Sequence, residues 1–144
     1  MCSSELKTET LTNNPVRSLA ENERVGFLQA LFPGCLIFGE NAVYGWADRF
    51  SQDYRGGLWD FRTDDAGVRF MVPLGHDTFK VEQFMNGFEG EMLAEAYGIF
   101  CTVMGLSQML ERHRDNRALL ENFERLREFA YEHAEARALI SALD

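Results

Sequence analysis

The strongest constraint on the fold is an apolar stripe that begins near Met92 and repeats at helical spacing as far as Leu110. It runs over about five turns at 3.6 residues per turn, and it covers one broad face of a helix. So wide an apolar face has to be covered, so the stripe predicts a central helix packed on a sheet. Gly98 and Gly105 interrupt the stripe and indicate close packing against a neighbour. Its residues are Met92, Ala96, Ile99, Phe100, Val103, Met104, Leu106, Ser107 and Leu110.

Three segments before the stripe are typical of antiparallel strands. Residues 58–62 and 68–73 flank a turn, Asp64-Asp65-Ala66-Gly67, and together they predict a hairpin. Thr78 to Met85 alternates between apolar and polar residues, which predicts a third strand extending the same sheet. Cys35 to Phe38 is short and apolar, and is compatible with one more strand.

Helical spacing recurs on both sides of these strands. It predicts a helix from Asn22 to a stop at Pro33-Gly34, a second over 41–50, and two more near 116–133 and 135–143. Because the strands cluster between helices, we expect an α+β fold: a single domain with a small antiparallel sheet of at least three strands packed by several helices. Residues 1–21 are polar and aperiodic and predict a flexible N-terminal tail, which leaves residues 22–144 as the domain.

Composition narrows the class of protein. The formal net charge of −9 over 144 residues argues against direct nucleic-acid binding, because phosphate contacts need a basic face. No apolar run is long enough for a membrane span and no signal peptide is evident, so we expect a cytoplasmic protein without membrane contact. The three cysteines, Cys2, Cys35 and Cys101, are odd in number and far apart, as expected of free thiols. No metal or cofactor is predicted.

Catalytic motifs are not evident. The chain has no phosphate-binding loop, dinucleotide fingerprint, zinc-protease motif or nucleophile elbow, so we predict that it is not an enzyme. One alternative is a small enzyme that uses His76, beside Asp77, or a thiol–base pair of Cys35 with His76. His113 and His133 lie near helix ends, where we expect surface residues compatible with the helix dipole.

A run of acids precedes the central helix. Between Gln83 and Gln108 the only charged residues are Glu89, Glu91 and Glu95. Carboxylates in a first helical turn complement the positive end of the macrodipole, which is a purely structural interpretation. That interpretation does not require glycines on both sides of Phe88-Glu89, which predict an unusual surface turn and favour a partner-binding loop.

The segment Asn86-Gly87-Phe88-Glu89-Gly90-Glu91-Met92 resembles a motif of the antirestriction protein family of the ArdB/KlcA type. The resemblance runs from about Asn22 to the last residue. Two positions depart from the family pattern: Tyr97 stands where a small residue is expected, and the ending Leu143-Asp144 replaces a more usual Ile-Asp. The other matching segments are Tyr54-Arg55-Gly56-Gly57-Leu58-Trp59-Asp60-Phe61, Phe129-Ala130-Tyr131-Glu132-His133-Ala134-Glu135-Ala136 and Ala142-Leu143-Asp144.

This resemblance implies an inhibitor of bacterial type I restriction-modification systems that acts on restriction more than on modification and protects incoming mobile DNA such as a plasmid. It implies no catalysis. Protein–protein interference with the restriction enzyme complex, or with an associated host factor, is compatible with the residues, and both monomer and homodimer remain open. The alternative is an acidic DNA mimic. The hypothesised partner-binding residues are Asn86, Glu89, Glu91, Glu95, Tyr54, Trp59 and Asp144.

Asp144 is included for an electrostatic reason. Its side chain, the terminal carboxylate and the negative end of the last predicted helix coincide, which disfavours an acid there. Either a base such as Arg137 or Arg112 folds over it, or the acidic terminus is presented to a partner.

Overall fold

A computed structural model describes residues 15–144 and confirms the α+β fold. The described strands are β1 (Arg17–Ser18), β2 (Trp59–Thr63), β3 (Arg69–Pro73), β4 (Thr78–Gln83) and β5 (Phe88–Leu93). Strands β1, β2 and β3 form one antiparallel sheet, and β4 and β5 form a separate two-stranded sheet. A single turn of 3-10 helix, Glu21–Glu23, precedes the first of five α-helices in the described range: α1 (Arg24–Leu31), α2 (Leu36–Phe50), α3 (Ala94–Arg112), α4 (Arg117–Tyr131) and α5 (Ala136–Leu143).

Two predicted features of the strands are wrong. Cys35 to Phe38 is not a strand, because α2 already begins at Leu36 and the Gly39 amide donates to the Cys35 carbonyl at 2.8 Å. A short apolar run cannot by itself distinguish a strand from a buried helical turn. Strand β4 does not extend the first sheet either; it pairs with β5, and the third strand of the first sheet is β1, beside β2.

Helix α3 is the centre of the packing, as its apolar stripe predicts. A Cβ built on Gly98 would lie 2.1 Å from the Met71 carbonyl oxygen of β3, so only glycine allows this approach. One turn later, the Thr102 hydroxyl accepts from the Met71 amide at 3.1 Å and donates to the Gly98 carbonyl at 2.7 Å. A Cβ on Gly105 would lie 2.7 Å from Val43 Cγ2 of α2, which is also too close for a larger residue. The glycines in the stripe therefore let α3 touch both the sheet and α2.

Tyr97, one of the two departures from the family pattern, fills the space between α2 and β4. The side chain is fully buried, its hydroxyl donates to the Ala47 carbonyl at 2.6 Å, and its ring stacks on Phe79 at 4.8 Å between centroids. Burial raises the pKa of the Tyr97 hydroxyl, which therefore stays a donor.

The described part of the predicted tail contributes to the first sheet. Arg17 pairs with Thr63 and Ser18 with Arg62, which makes β1 the edge beside β2. The first fourteen residues, including Cys2, lie outside the described range, and the domain boundary at residue 22 stays a prediction.

Candidate functional site

The acidic motif is a strand rather than the start of a helix. Glu89 and Glu91 lie in β5, and helix α3 begins only at Ala94, so the interpretation of these two acids as first-turn carboxylates is wrong. Glu95 alone is in the first turn. Gly87 has φ +81° in the turn between β4 and β5, whereas Gly90 leaves room for the Phe88 ring, which a Cβ would meet at 2.9 Å.

The β4–β5 hairpin has one buried and one exposed face. Phe79, Val81 and Gln83 of β4 point inward, and the alternate residues are exposed. Lys80 lies opposite Glu91, and Glu82 lies opposite Glu89. We call this exposed set, Lys80, Glu82, Glu89 and Glu91, the acidic hairpin face.

Glu82 and Glu89 form a pair of like charges across the two strands. The amides of Lys80 and Leu93 donate to side chains outside the hairpin, Asp53 at 2.8 Å and Glu135 at 3.1 Å. Residues whose amides point out of the hairpin belong to non-hydrogen-bonded pairs, and such pairs recur at every second position of an antiparallel ladder. Glu82 and Glu89 therefore form a non-hydrogen-bonded pair, the type in which the opposing side chains lie closest. Like charges directly opposite destabilise a hairpin. Among the described residues, no salt bridge offsets the acids of this face.

The tip of the hairpin is attached to the end of α5. The Asn86 side-chain amide donates to the carbonyls of Ser141 and Ala142 at 3.1 and 3.0 Å, and its oxygen accepts from the Phe88 amide at 3.0 Å. Gln83 donates to the Ala142 carbonyl at 3.3 Å. Asn86 therefore caps the last carbonyls of a helix, a role that positions the loop.

These bonds place the predicted residue Asn86 beside the end of α5, which Asp144 follows, whereas Glu89 and Glu91 lie further along β5. Asp144 follows α5, its amide donates to the Ile140 carbonyl at 2.9 Å, and it is exposed. Within residues 15–144, neither Arg137 nor Arg112 forms a salt bridge with it. The partner-binding role of these residues remains a prediction.

Glu95 lies in an internal polar network. One carboxylate oxygen accepts from Arg62 of β2 at 2.8 Å, and the other contacts His133 Nε2 at 2.9 Å. The hydrogen bond with His133, reinforced by the charge of Arg62, holds the pKa of Glu95 below its usual range although burial opposes this. Glu95 therefore ties α3 to β2 and to the loop after α4.

The prediction that His133 is a surface residue is wrong. Its side chain is only 11% exposed, and Nδ1 accepts from the Glu135 amide at 3.0 Å. Because Nδ1 is an acceptor, Nε2 carries the hydrogen that is donated to Glu95. The network continues through Arg62 to Asp60 at 2.8 Å and from Asp60 to the Ser18 hydroxyl at 2.6 Å. Burial raises the pKa of Asp60, but these bonds from Ser18 and Arg62 outweigh it and lower the pKa.

Tyr54 and Trp59 form an aromatic cluster with Tyr44 of α2. Trp59 is buried, and its indole nitrogen donates to the Tyr54 hydroxyl at 3.1 Å. The Tyr44 ring packs on Trp59 at 5.3 Å. The bond from the Lys80 amide to Asp53, the residue before Tyr54, connects this cluster to the outer edge of β4.

Sequence reasoning missed Glu82 and Asp53. Glu82 becomes significant only because it faces Glu89, and that register exists only if residues 88–93 are a strand. Asp53 gave no local signal, since its partner is the Lys80 backbone 27 positions away. The alternation that marks β4 does continue weakly through Glu89, Gly90 and Glu91, and was the one signal available.

The catalytic alternatives gain no geometric support. The Cys35 thiol lies 3.8 Å from the Pro33 carbonyl, and its pKa is raised by burial, so the thiolate is disfavoured. His76 is exposed in the turn between β3 and β4 and packs against the Phe79 ring at 5.3 Å. Burial also raises the pKa of Cys101. In the described range, no group of three or more His, Cys, Asp or Glu side chains could hold a metal ion.

Among residues 15–144, no helix is long and apolar enough to cross a membrane.

Comparison with known proteins places this arrangement in a family. The family model described as antirestriction protein matches residues 52–144. Two Escherichia coli proteins named antirestriction protein KlcA are 39% and 34% identical to the chain; each alignment covers 88% of it, and 90% and 92% of the relatives. A solved structure from work on KlcA and ArdB matches with a TM-score of 0.78 and 34% identity over 90% of this chain and 96% of that one. That work describes antirestriction activity against type I DNA restriction systems in vivo but not in vitro. The chain therefore belongs to the antirestriction protein family.

Proposed function

We propose that this protein protects incoming DNA by inhibiting type I restriction-modification systems, restriction more than modification, through protein–protein contact at the acidic hairpin face. It acts in the cytoplasm, without catalysis and without binding DNA. The observation that carries this proposal is the combination of family membership with a hairpin face whose acids have no salt-bridge partner in the described structure.

The relatives' behaviour supports an interference mechanism. KlcA and ArdB show antirestriction activity in vivo but not in vitro. Activity that needs the cell is expected if the inhibitor acts on a complex or a host factor that the purified reaction lacks. An enzyme that modified the restriction complex or its DNA would be expected to work on purified components. This favours, as the direct partner, a host factor associated with the restriction complex or a form of that complex present only in the cell.

The charge of the face specifies what it binds. Three carboxylates and one lysine lie on two neighbouring strands, and the Glu82–Glu89 pair is relieved when a cation approaches. A basic patch on a protein partner supplies such cations, and the contact weakens as salt screens it. A DNA mimic needs a much larger acidic surface, because duplex DNA carries one charge per roughly 1.7 Å of its axis. One short hairpin does not provide it.

The deciding experiment is the plating efficiency of unmodified phage on a type I restricting host that expresses each variant. The double substitution Glu89→Gln and Glu91→Gln should lower relief of restriction at least about tenfold, the change expected when roughly 1.4 kcal/mol of binding is lost. Stability should change by less than about 0.5 kcal/mol, because both side chains are exposed. The matched control is Glu124→Gln with Glu128→Gln on the exposed side of α4, which should stay active.

Methylation of host DNA is measured in the same cells. The proposal expects modification to persist while restriction is relieved. Equal loss of both would favour the DNA mimic, and a fully active hairpin variant would remove the acidic hairpin face from the mechanism.

A further inference from the structure

We propose that the groove between α2 and α3 binds an amphipathic helix of a protein partner whose apolar face is flanked by carboxylates. This surface is distinct from the acidic hairpin face, and the inference rests on the proposed function only for its consequence in cells. The groove encloses about 620 Å³. Its walls include Phe38, Gly45 and Trp46 of α2 and Gln108, Met109 and Arg112 of α3.

The groove presents one exposed aromatic side chain, Phe38, and one half-buried aromatic side chain, Trp46. Phe38 is 66% exposed at the rim, and Trp46 forms part of the wall while stacking on Phe50 at 5.1 Å. Aromatic residues and arginine are the residue types enriched at the centres of protein–protein interfaces. A volume of this size is within the range of sites that bury several groups of a ligand.

The second observation is that Gly45 of α2 has no packing neighbour. Three other helical glycines have a packing reason: a Cβ would meet Phe32 at Gly39, Met71 at Gly98 and Val43 at Gly105, each closer than 3 Å. Gly45 is also inside a helix and lines the groove, yet nothing lies within 4 Å of its Cβ position. Glycine there costs up to about 1 kcal/mol of helix stability relative to alanine. Gly26 of α1 has no neighbour within 4 Å of its Cβ position either, so this feature alone does not indicate a partner. At Gly45, however, it leaves the wall of the groove open to a close approach by a partner backbone.

The charges at the groove specify the sign of the partner. Arg49 and Arg112 line it together with one acid, Glu111. In the described range neither arginine forms a salt bridge, and the Arg49 guanidinium lies over the Trp46 ring at 5.5 Å from its centroid. Both arginines are in last helical turns, where they also complement the dipole. Their convergence on one groove in a chain of net charge −9 nevertheless favours an acid-bearing occupant.

Shape decides between a partner helix and a second copy of this chain. A two-fold dimer through this surface would bring two copies of the same groove face to face, so neither groove is filled unless a protruding side chain such as Phe38 of the other copy enters it. A helix presents a convex ridge with anchors at i, i+3 or i+4, and i+7, which is the usual occupant of a groove between helices. The partner segment is therefore a helix with an apolar ridge and flanking Asp or Glu residues.

The first test is an NMR titration of the full chain with a synthetic amphipathic peptide of about 18 residues, five helical turns, that carries leucines on one face and flanking glutamates. The Gly45 amide and the Trp46 indole resonances should shift saturably. The same peptide with lysines in place of the glutamates should bind at least about tenfold more weakly. Shifts confined to other surfaces, equal binding of both peptides, or self-association of the chain through this groove would overturn the inference.

The second test fills the groove. Gly45→Leu should leave the melting temperature unchanged or raise it, weaken the glutamate peptide at least about tenfold and lower relief of restriction. Gly26→Leu is the matched control, because Gly26 is also exposed in a helix with nothing within 4 Å of its Cβ position, but lies on α1. Arg49→Glu provides a second variant that keeps the backbone of α2 unchanged and should reverse the preference between the two peptides.

The outcomes separate the two proposals. A wild-type chain that binds the glutamate peptide but gives no relief of restriction contradicts the proposed function and leaves the groove assignment standing. A chain that relieves restriction equally well with Gly45→Leu and with Gly26→Leu contradicts the groove alone.

Discussion

The β2–β3 and β4–β5 hairpins are both antiparallel strand pairs, but the first is largely buried and the second has one exposed face. In the β2–β3 hairpin, four of the five β3 residues are buried, and the turn is closed by the buried Asp64 side chain, which accepts from the amides of Ala66 and Val68 at 2.9 and 3.0 Å. In the β4–β5 hairpin one face is exposed to solvent, and on it Glu82 lies opposite Glu89 with no basic side chain between them.

The difference shows where the fold completes its own electrostatics and where it does not. Arg62 of the first hairpin carries a positive charge and contacts two carboxylates, Asp60 and Glu95. The acids of the second hairpin have no such partner among the described residues. Exposed loops are also where proteins usually place their binding groups, which agrees with a binding role for these acids. We therefore expect substitutions near the first hairpin to affect stability and substitutions on the second to affect inhibition.

The largest effect is expected at Asn86, the predicted site residue that the structure ties to α5. Asn86→Ala removes three hydrogen bonds and should lower the free energy of unfolding by about 1.5–4.5 kcal/mol, since each such bond contributes about 0.5–1.5 kcal/mol. Denaturant unfolding measures this. Asn22→Ala is the control, because Asn22 is exposed and donates no side-chain hydrogen bond to a described residue. Loss of inhibition at unchanged stability would instead make Asn86 a direct partner contact.

An intermediate effect is expected at Glu95, the carboxylate that contacts Arg62 of the first hairpin and His133. The pKa of Glu95 is lowered in the folded protein, chiefly by the hydrogen bond with His133. The ionised carboxylate therefore stabilises the fold at pH values above the ordinary pKa of 4.5, and this stabilisation is lost as the pH falls through the lower pKa of the folded state. Glu95→Gln should therefore cost about 1 kcal/mol near pH 7, a charge-assisted bond discounted for partial exposure. The difference from wild type should shrink as the pH is lowered below 4.5. Denaturant unfolding from neutral to acid pH checks this, and a difference that stays constant with pH would contradict the role assigned to the network.

The smallest effect on stability is expected at Asp144. If the acidic terminus is presented to a partner, Asp144→Asn should reduce antirestriction and leave the melting temperature unchanged or slightly raised, because a negative charge at a helix C-terminus is unfavourable by a few tenths of a kcal/mol. Thermal melts and phage plating measure the two quantities. Asp115→Asn, at an exposed acid before α4, is the control and should remain active. Full activity of Asp144→Asn would remove this residue from the functional surface.

The sequence by itself determines the secondary structure of the long, strongly periodic segments. The stripe from Met92 to Leu110 predicts a helix that the structure places at Ala94–Arg112, and the turn at 64–67 predicts the β2–β3 hairpin. The α+β class and the family followed from such segments and from ordered motifs. Local spacing is sufficient here because many residues repeat one period, and the repetition outweighs individual exceptions.

Short segments and distant contacts were decided only by the tertiary structure. Residues 88–93 are a strand because β4 lies beside them. Cys35 precedes a helix that packs against Phe32 at Gly39 and against α3 at Val43. The His133–Glu95 bond spans 38 positions, and the groove exists only where α2 and α3 lie side by side. No local pattern encodes these features, because each depends on the free energy of contacts between residues that approach one another only after the chain has folded.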